Sequence, residues 1–269
     1  MPPPKIAGGP YVMGVLNVTP DSFSDGGAHE SAAAPHALAM LEAGADIIDI
    51  GGESTRPGAA PVEEGQEMAR VVPVIAALRA ATKAPISIDT MKASVAVAAL
   101  QAGASIWNDV AALQSPGALE TAAALRRPVI LMHMQGEPRT MQQDPRYDDV
   151  VGEVMAFLDE RVAALEAAGA VRERFVLDPG FGFGKRTVHN YALLRELERF
   201  SAGGLPVLAG MSRKSMLGAV TGREVGERLA ASVAAALIAV QRGAAIVRVH
   251  DVAPTLDALK VWQATLGIE

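Results

Sequence analysis

The segment Asp178-Pro-Gly-Phe-Gly-Phe-Gly-Lys185 puts a carboxylate where the apolar run Phe175-Val176-Leu177 stops, then alternates three glycines with two phenylalanines that a loop has little means of burying. Taken alone, such an acid caps nearby backbone amides and needs no further role. Other Val/Ile/Leu-rich runs, however, end in the same manner. Asn17 closes one, Glu53-Ser54-Thr55-Arg56 a second, Asp89 a third and Asn108-Asp109 a fourth. His133 with Gln135, Ser212-Arg213-Lys214, and Arg248 with His250 and Asp251 follow later runs. The opposite ends supply mostly Ala, Gly and Pro.

These types point to chemistry with one small, partly anionic ligand. Carboxylates only accept hydrogen bonds, whereas an amide both donates and accepts. Asp89, Asn108 and Asp178 together could therefore read the donor-rich edge of an aminated heterocycle. A paired-carboxylate acid/base site and plain helix caps are the alternatives, and Asp89 before Thr90-Met91-Lys92 is well placed as a cap. In Arg248-Val-His250 the strand period of two puts both polar side chains on one side. Such a pair suits phosphate oxygens; the plain alternative is an arginine ion-paired to a neighbouring helix. Asn17 offers a hard oxygen suited to a Mg²⁺ shared with ligand phosphates. It opens the loop Val18-Thr-Pro-Asp-Ser-Phe-Ser-Asp-Gly-Gly27, a candidate lid. Asp25 at its tip is either a solvated turn residue or a group that reaches the reacting centre on closure. Thr55-Arg56-Pro57-Gly58 forms a second rim loop able to close over another substrate. Ser212-Arg213-Lys214 opens a helix, where N-terminal amides and a lysine suit an anion or an electron-rich carbonyl. The glycine spacing in Gly180–Gly184 is neither that of a P-loop nor that of a dinucleotide fingerprint.

Positioning such residues at one rim requires a repeated unit. Eight apolar runs recur at 11–18, 46–51, 85–89, 105–110, 128–134, 174–177, 206–210 and 244–250, as expected of parallel strands buried on both faces. Helical faces lie between them: Met68, Val71, Ile75 and Leu78; Val151, Val154, Leu158, Val162 and Leu165; and Leu256, Leu259, Trp262 and Leu266. Gly44, Gly103, Gly169 and Gly243 sit where helices close before strands. Ser115-Pro116 reads as an N-cap with proline at the first helical position. Strand–loop–helix–glycine repeated eight times predicts an α/β single domain, a closed (β/α)₈ TIM barrel over 11–269 after a short extension, 1–10. An open doubly wound sheet is the alternative.

Composition agrees. The chain has 269 residues, half of them hydrophobic and 20% charged, which argues against disorder. A net charge of −6 argues against a general nucleic-acid surface while leaving room for a local anion site. With no cysteine there are no disulfides or thiolate metal sites. Met1-Pro-Pro-Pro-Lys5 lacks a signal peptide's apolar core, and the run Leu229–Val240 is too short to span a membrane. The expectation is a soluble cytoplasmic protein.

The strings Met13-Gly-Val-Leu-Asn-Val-Thr-Pro-Asp-Ser-Phe-Ser-Asp-Gly-Gly27 and Asp49-Ile-Gly-Gly-Glu-Ser-Thr-Arg-Pro-Gly58 closely resemble signature segments of the dihydropteroate synthases. So do Ser87-Ile-Asp-Thr90, Asn108-Asp109, Leu131-Met-His-Met-Gln135, the segment 178–185, Gly210-Met-Ser-Arg-Lys-Ser215 and Val247-Arg-Val-His-Asp251, all in family order. The resemblance implies a (β/α)₈ transferase of folate biosynthesis that joins (7,8-dihydropterin-6-yl)methyl diphosphate to 4-aminobenzoate. It implies Asn17 as a ligand of Mg²⁺, and Asp89, Asn108, Asp178 and Lys214 around the pterin. Arg248 and His250 would bind the diphosphate and Thr55 would touch substrate. Arg56, Pro57, Phe183, Lys214 and Ser215 would line the aminobenzoate pocket, and Asp25 and Asp178 would favour developing positive charge. It also implies a homodimer and a sulfonamide target. Residues 5–11 are shorter than the N-terminal hairpin many members carry, which bears on how the barrel bottom is plugged. A non-catalytic pterin-binding paralogue and a pterin-dependent methyltransferase domain are the competing readings; the cationic pair Arg248 and His250 separates the synthase from the methyltransferase.

Overall fold

Each of the eight apolar runs forms a strand in the computed structural model, which describes residues 9–19, 29–55 and 58–267. Strand β1 (Tyr11–Asn17) precedes α1 (His29–Glu42), and β2 (Ile47–Gly51) precedes α2 (Glu64–Ala81). Next come β3 (Ile86–Asp89) with α3 (Ala93–Ala102) and β4 (Ile106–Asp109) with α4 (Ala118–Leu125). They are followed by β5 (Val129–Met132) with α5 (Val150–Ala167), then β6 (Phe175–Asp178) with α6 (Thr187–Arg195) and the single turn α7 (Glu198–Ser201). The last units are β7 (Leu208–Ala209) with α8 (Ser215–Thr221) and α9 (Leu229–Gln241), and β8 (Ile246–Val249) with α10 (Val252–Thr265).

Neighbouring strands are parallel throughout, in the order β6-β5-β4-β3-β2-β1-β8-β7. A parallel bridge between Leu177 and Val207, with the Leu177 N–H donating to the Pro206 carbonyl at 2.9 Å, joins β6 to the chain entering β7. The sheet is therefore a (β/α)₈ barrel rather than an open doubly wound sheet.

Strand alternation gives the barrel two cores. Residues facing outward, such as Val12, Ile48, Ile50 and Ile88, pack with Val71, Ile75, Leu78, Val154 and Leu158 of the helices. Those facing inward at the lower end form a separate cluster: Tyr11, Met13, Ile47, Ile106, Ile130, Val176, Leu208 and Ile246. Because the side-chain period is two, the next inward positions are Asp49, Asn108, Asp178 and Arg248, and in β3 Ser87 leads to Asp89. The lumen is thus apolar below and polar at its C-terminal mouth. Tyr11, only 8% exposed, belongs to the lower plug.

The glycine punctuation is as expected: Gly44, Gly103, Gly169 and Gly243 have φ of 101°, 121°, 86° and 90°. Three details differ from expectation. Helix α4 starts at Ala118 behind Gly117, and Ser115 contributes its backbone carbonyl to the Ala118 N–H rather than a side-chain cap. Leu266 lies past the end of α10 and is exposed. Phe181 is fully buried, because the loop folds back onto the helical layer.

Gly169 and Gly103 share a left-handed φ but not their surroundings. A Cβ at Gly169 would meet nothing within 4 Å, whereas one at Gly103 would lie 2.6 Å from Arg79 Cγ. Arg79 is fixed by donating to the carbonyls of Gly103, Thr82 and Ala84. Gly169→Ala is expected to cost about 1 kcal/mol, the strain of the backbone alone, and Gly103→Ala distinctly more. Urea denaturation of the two variants measures the difference, and equal losses would contradict the packing described.

Candidate active site

Arg248 crosses the mouth of the lumen. Its Nε donates to Asp49 Oδ2 at 2.6 Å and its Nη2 to Asp89 Oδ2 at 2.8 Å. Asn108 Nδ2 donates to the same Asp49 oxygen at 3.1 Å. One arginine thereby ties β2, β3 and β8 together, and β4 joins through the amide. Register explains the meeting: Asp49 pairs with Ser87, Asp89 with Asn108, and Met13 of the intervening β1 with Arg248. Among the described residues only Nε and Nη2 of the guanidinium are engaged, which leaves the Nη1 edge to an anion. The arginine's partners are strand carboxylates and not a neighbouring helix. Asp89 is likewise no helix cap, since α3 begins behind Lys92 without a side-chain cap.

Asp49 Oδ1, Asp89 Oδ1 and Ser87 Oγ are buried and have no hydrogen-bond partner among the described residues. Buried acceptors are rarely left so, and at a mouth they fit a ligand that donates. Burial pushes the Asp89 carboxyl up to about 7 against the pull of Arg248, while Asp49 and Asp89 raise Arg248. Asp178, at the end of β6, accepts the Gly180 N–H at 2.7 Å through Oδ1. It therefore braces its own loop as well as facing the lumen. Burial raises it, opposed first by Lys214 and also by Arg248.

Lys214 points inward from the turn before α8. Its Nζ donates to the Phe181 carbonyl and lies 4.6 Å above the Phe183 ring, a cation–π arrangement. Burial lowers it to about 8, opposed first by Asp178. Its sequence neighbours diverge. Ser212 Oγ meets His250 Nδ1 at 3.0 Å, and Arg213, at φ 61°, pairs with Asp251 at 2.6 Å. Ser215 is exposed at the first turn of α8, Thr55 is half-buried, and Asn17 is half-buried at the end of β1. Asp25, Arg56 and Pro57, with the candidate lid beyond Thr19, lie outside the described residues.

Other strand-end residues serve as struts. Asp109 is fully buried and accepts the N–H groups of Ala111 and Leu113 at 2.7 and 3.0 Å. It holds a turn in which Ala112 and Leu113 are left-handed, while Arg161 of α5 donates to both of their carbonyls. Lys92 pairs with Glu53 and, at 2.6 Å, with Glu67, fixing the stem of the second rim loop. His133 belongs to the β5 loop's contact with Lys185. Sequence reasoning left Asp49 and Lys185 without roles of their own.

A closed barrel whose mouth gathers carboxylates, an amide and two cations defines a barrel enzyme for a small ligand with both donor and anionic parts. A family described as pterin binding enzyme matches residues 13–250. The dihydropteroate synthase of Escherichia coli K12 is 53% identical over 260 residues, which is 96% of this chain and 92% of that protein. A solved Xanthomonas albilineans dihydropteroate synthase with 4-aminobenzoic acid superposes at TM-score 0.93 with 55% identity, covering 98% of this chain and 95% of that one. A structure from the same organism in complex with 7,8-dihydropteroate gives 0.89 and 52%, covering 98% and 96%. The chain belongs to the dihydropteroate synthase family of pterin binding enzymes.

Arg248→Met would leave Asp49 and Asp89 buried with no cation between them. A loss of about 3 kcal/mol is expected, and adding Asp49→Asn should return part of it. A double-mutant cycle in urea reads the coupling, and strictly additive losses would rule out the pairing.

Proposed function

We propose that this chain condenses (7,8-dihydropterin-6-yl)methyl diphosphate with 4-aminobenzoate, forming 7,8-dihydropteroate and releasing diphosphate. The observation that carries the reading is the ring of acceptors in the lumen. Asp89, Asn108 and Asp178 stand around one opening, and buried carboxylate oxygens still lack donors. That suits the amino-substituted edge of a pterin. Lys214 lies beside Asp178 and would donate to a ring acceptor.

The reaction breaks the bond between the pterin methylene and the diphosphate oxygen and forms one between that carbon and the amine nitrogen, which then gives up a proton. An aromatic amine is nucleophilic as it stands and needs no strong base. Positive charge developing on the methylene is conjugated with the ring, where Asp178 favours it. The free Nη1 edge of Arg248 and the His250 imidazole, held by Ser212, would take the departing negative charge. Thr55, behind β2, and Ser215, at the start of α8, would touch substrate as the resemblance implies. Phe183, under the Lys214 ammonium, would form one wall of the aminobenzoate pocket, with Arg56 and Pro57 on the second loop.

The donor set at β1 fits Mg²⁺. Asn17 offers one hard, neutral oxygen at the mouth. Among the described residues no group of three or more His, Asp or Glu could hold an ion, so most ligands would be diphosphate and water oxygens. When bound, the ion supplies positive charge at the leaving group. A homodimer is supported by the exposed Val188, Val220 and Val225 around α6 and α8. A cytoplasmic location fits a chain in which no described helix is long and apolar enough to cross a membrane.

The reading predicts diphosphate release that requires both 4-aminobenzoate and Mg²⁺ and is inhibited by a sulfonamide in competition with 4-aminobenzoate. Folded protein that turns over neither substrate would overturn it, and pterin binding without product would favour the paralogue. A second expectation concerns Lys214. Its ammonium is present below about 8 and lost above, so pterin affinity should fall as pH rises through that value. Lys214→Met should bind weakly and lose the fall near 8; an unchanged fall in that variant would remove Lys214 from the ring site.

A further inference from the structure

The loop that carries Asp178 and Phe183 is closed by a residue the reaction does not use. Lys185 is 3% exposed. Its Nζ meets His133 Nδ1 at 2.9 Å, the Phe183 carbonyl at 3.0 Å and the His133 carbonyl at 3.2 Å. Three acceptors surround the amine and no carboxylate is among them; burial pushes Lys185 well below the usual lysine range, opposed first by Asp178. Burial and the neighbouring lysine hold His133 at about 3, so its ring is neutral and Nδ1 can accept.

The rest of the contact is backbone against backbone. Gly180, Gly182 and Gly184 have φ of 70°, 82° and 61°. A Cβ at Gly180 would collide with the His133 carbonyl, and one at Gly184 with the Gln135 carbonyl. Tyr147 donates its hydroxyl to the Gly184 carbonyl at 2.8 Å, and Gln142 donates to that of Gly182. The phenylalanines between these glycines then face opposite ways: Phe181 is fully buried, while Phe183 stands under Lys214. Phe183 is held at both backbone ends: its N–H donates to the Gly180 carbonyl at 3.1 Å, and its carbonyl accepts from the Lys185 amine.

We propose that Lys185 is a positioning residue for the aminobenzoate site, pinning the Phe183 carbonyl and the β5 loop together so that the Phe183 ring faces the second substrate. The proposal rests on the aminobenzoate reading of Phe183 above. Lys185 touches no substrate, and no proton moves through it. Asp178 braces the loop's other end by accepting the Gly180 N–H, and the Gly180 carbonyl in turn accepts the Phe183 N–H. Lys185 alone fixes the carbonyl side of Phe183 among the described residues, so its loss acts first on Phe183.

Steady-state kinetics of the full chain test this with Lys185→Met, Tyr147→Phe and Phe183→Ala. For Lys185→Met, the KM for 4-aminobenzoate and the Ki of a sulfonamide should both rise by about tenfold, the size of one lost buried hydrogen bond. The KM for the pterin diphosphate should change by less than about twofold, within the weight of such effects. Tyr147→Phe, which removes one hydroxyl, should shift 4-aminobenzoate in the same direction and by less, and it decides the matter if Lys185→Met does not fold. A purely structural role would lower stability and kcat without separating the two KM values, and that result overturns the proposal. If Phe183→Ala raises the 4-aminobenzoate KM while neither other variant does, the proposal fails and the pocket assignment stands. If Phe183→Ala leaves that KM unchanged, the assignment itself fails and the proposal with it.

Discussion

The mouth of this barrel is organised by one shared cation. Arg248 reaches from β8 to carboxylates on β2 and β3, and the oxygen it grips on Asp49 is also the one that orients Asn108 of β4. Removing the arginine's charge would leave acids facing each other in a desolvated space. Keeping it lets them stand close with acceptor oxygens still unused. The same group that fixes these acids keeps one edge of its guanidinium unengaged among the described residues. Under the proposed function, recognition of the ring and of the leaving group is therefore mechanically linked.

The distribution of charge follows from strand geometry. Each strand turns an apolar side chain inward at the lower level and a polar one two residues later. The polar layer is buried enough to shift Asp89 and Asp178 up and Lys214 down. These shifts oppose full ionisation of every group, and mixed signs offset the cost. Asp109, Lys92 and Lys185 lie outside the lumen and fix the turns on which the lumen groups ride.

Much of this was legible from the chain. Consecutive apolar residues ending in a polar one placed all eight strands to within about two residues, a normal margin for element ends. The glycines before strands marked the helix ends, because a left-handed closure leaves little choice of residue. Asp49 was harder to see, since it interrupts the run Ile47–Ile50 rather than ending it. Reading that strand by alternate positions would have put it on the inner face with Ile47 and Gly51. Lys185 had no local signal at all: its main partner, His133, is 52 residues away in the loop behind β5. Ser115-Pro116 misled because the turn held by Asp109 delays the helix.

The seam between β6 and β7 is the thinnest part of the wall. Strand β7 has two residues, and its connection to β6 is a single bridge with one flanking hydrogen bond. A hoop yields where it is most lightly stitched, so breathing of the cylinder concentrates there. Asp178 stands on one side of that stitch and Lys214 just beyond the other. The Lys214 side chain on the Phe181 carbonyl is thus the clasp that holds this seam at the mouth, as Arg248 holds the span across β2, β3 and β8.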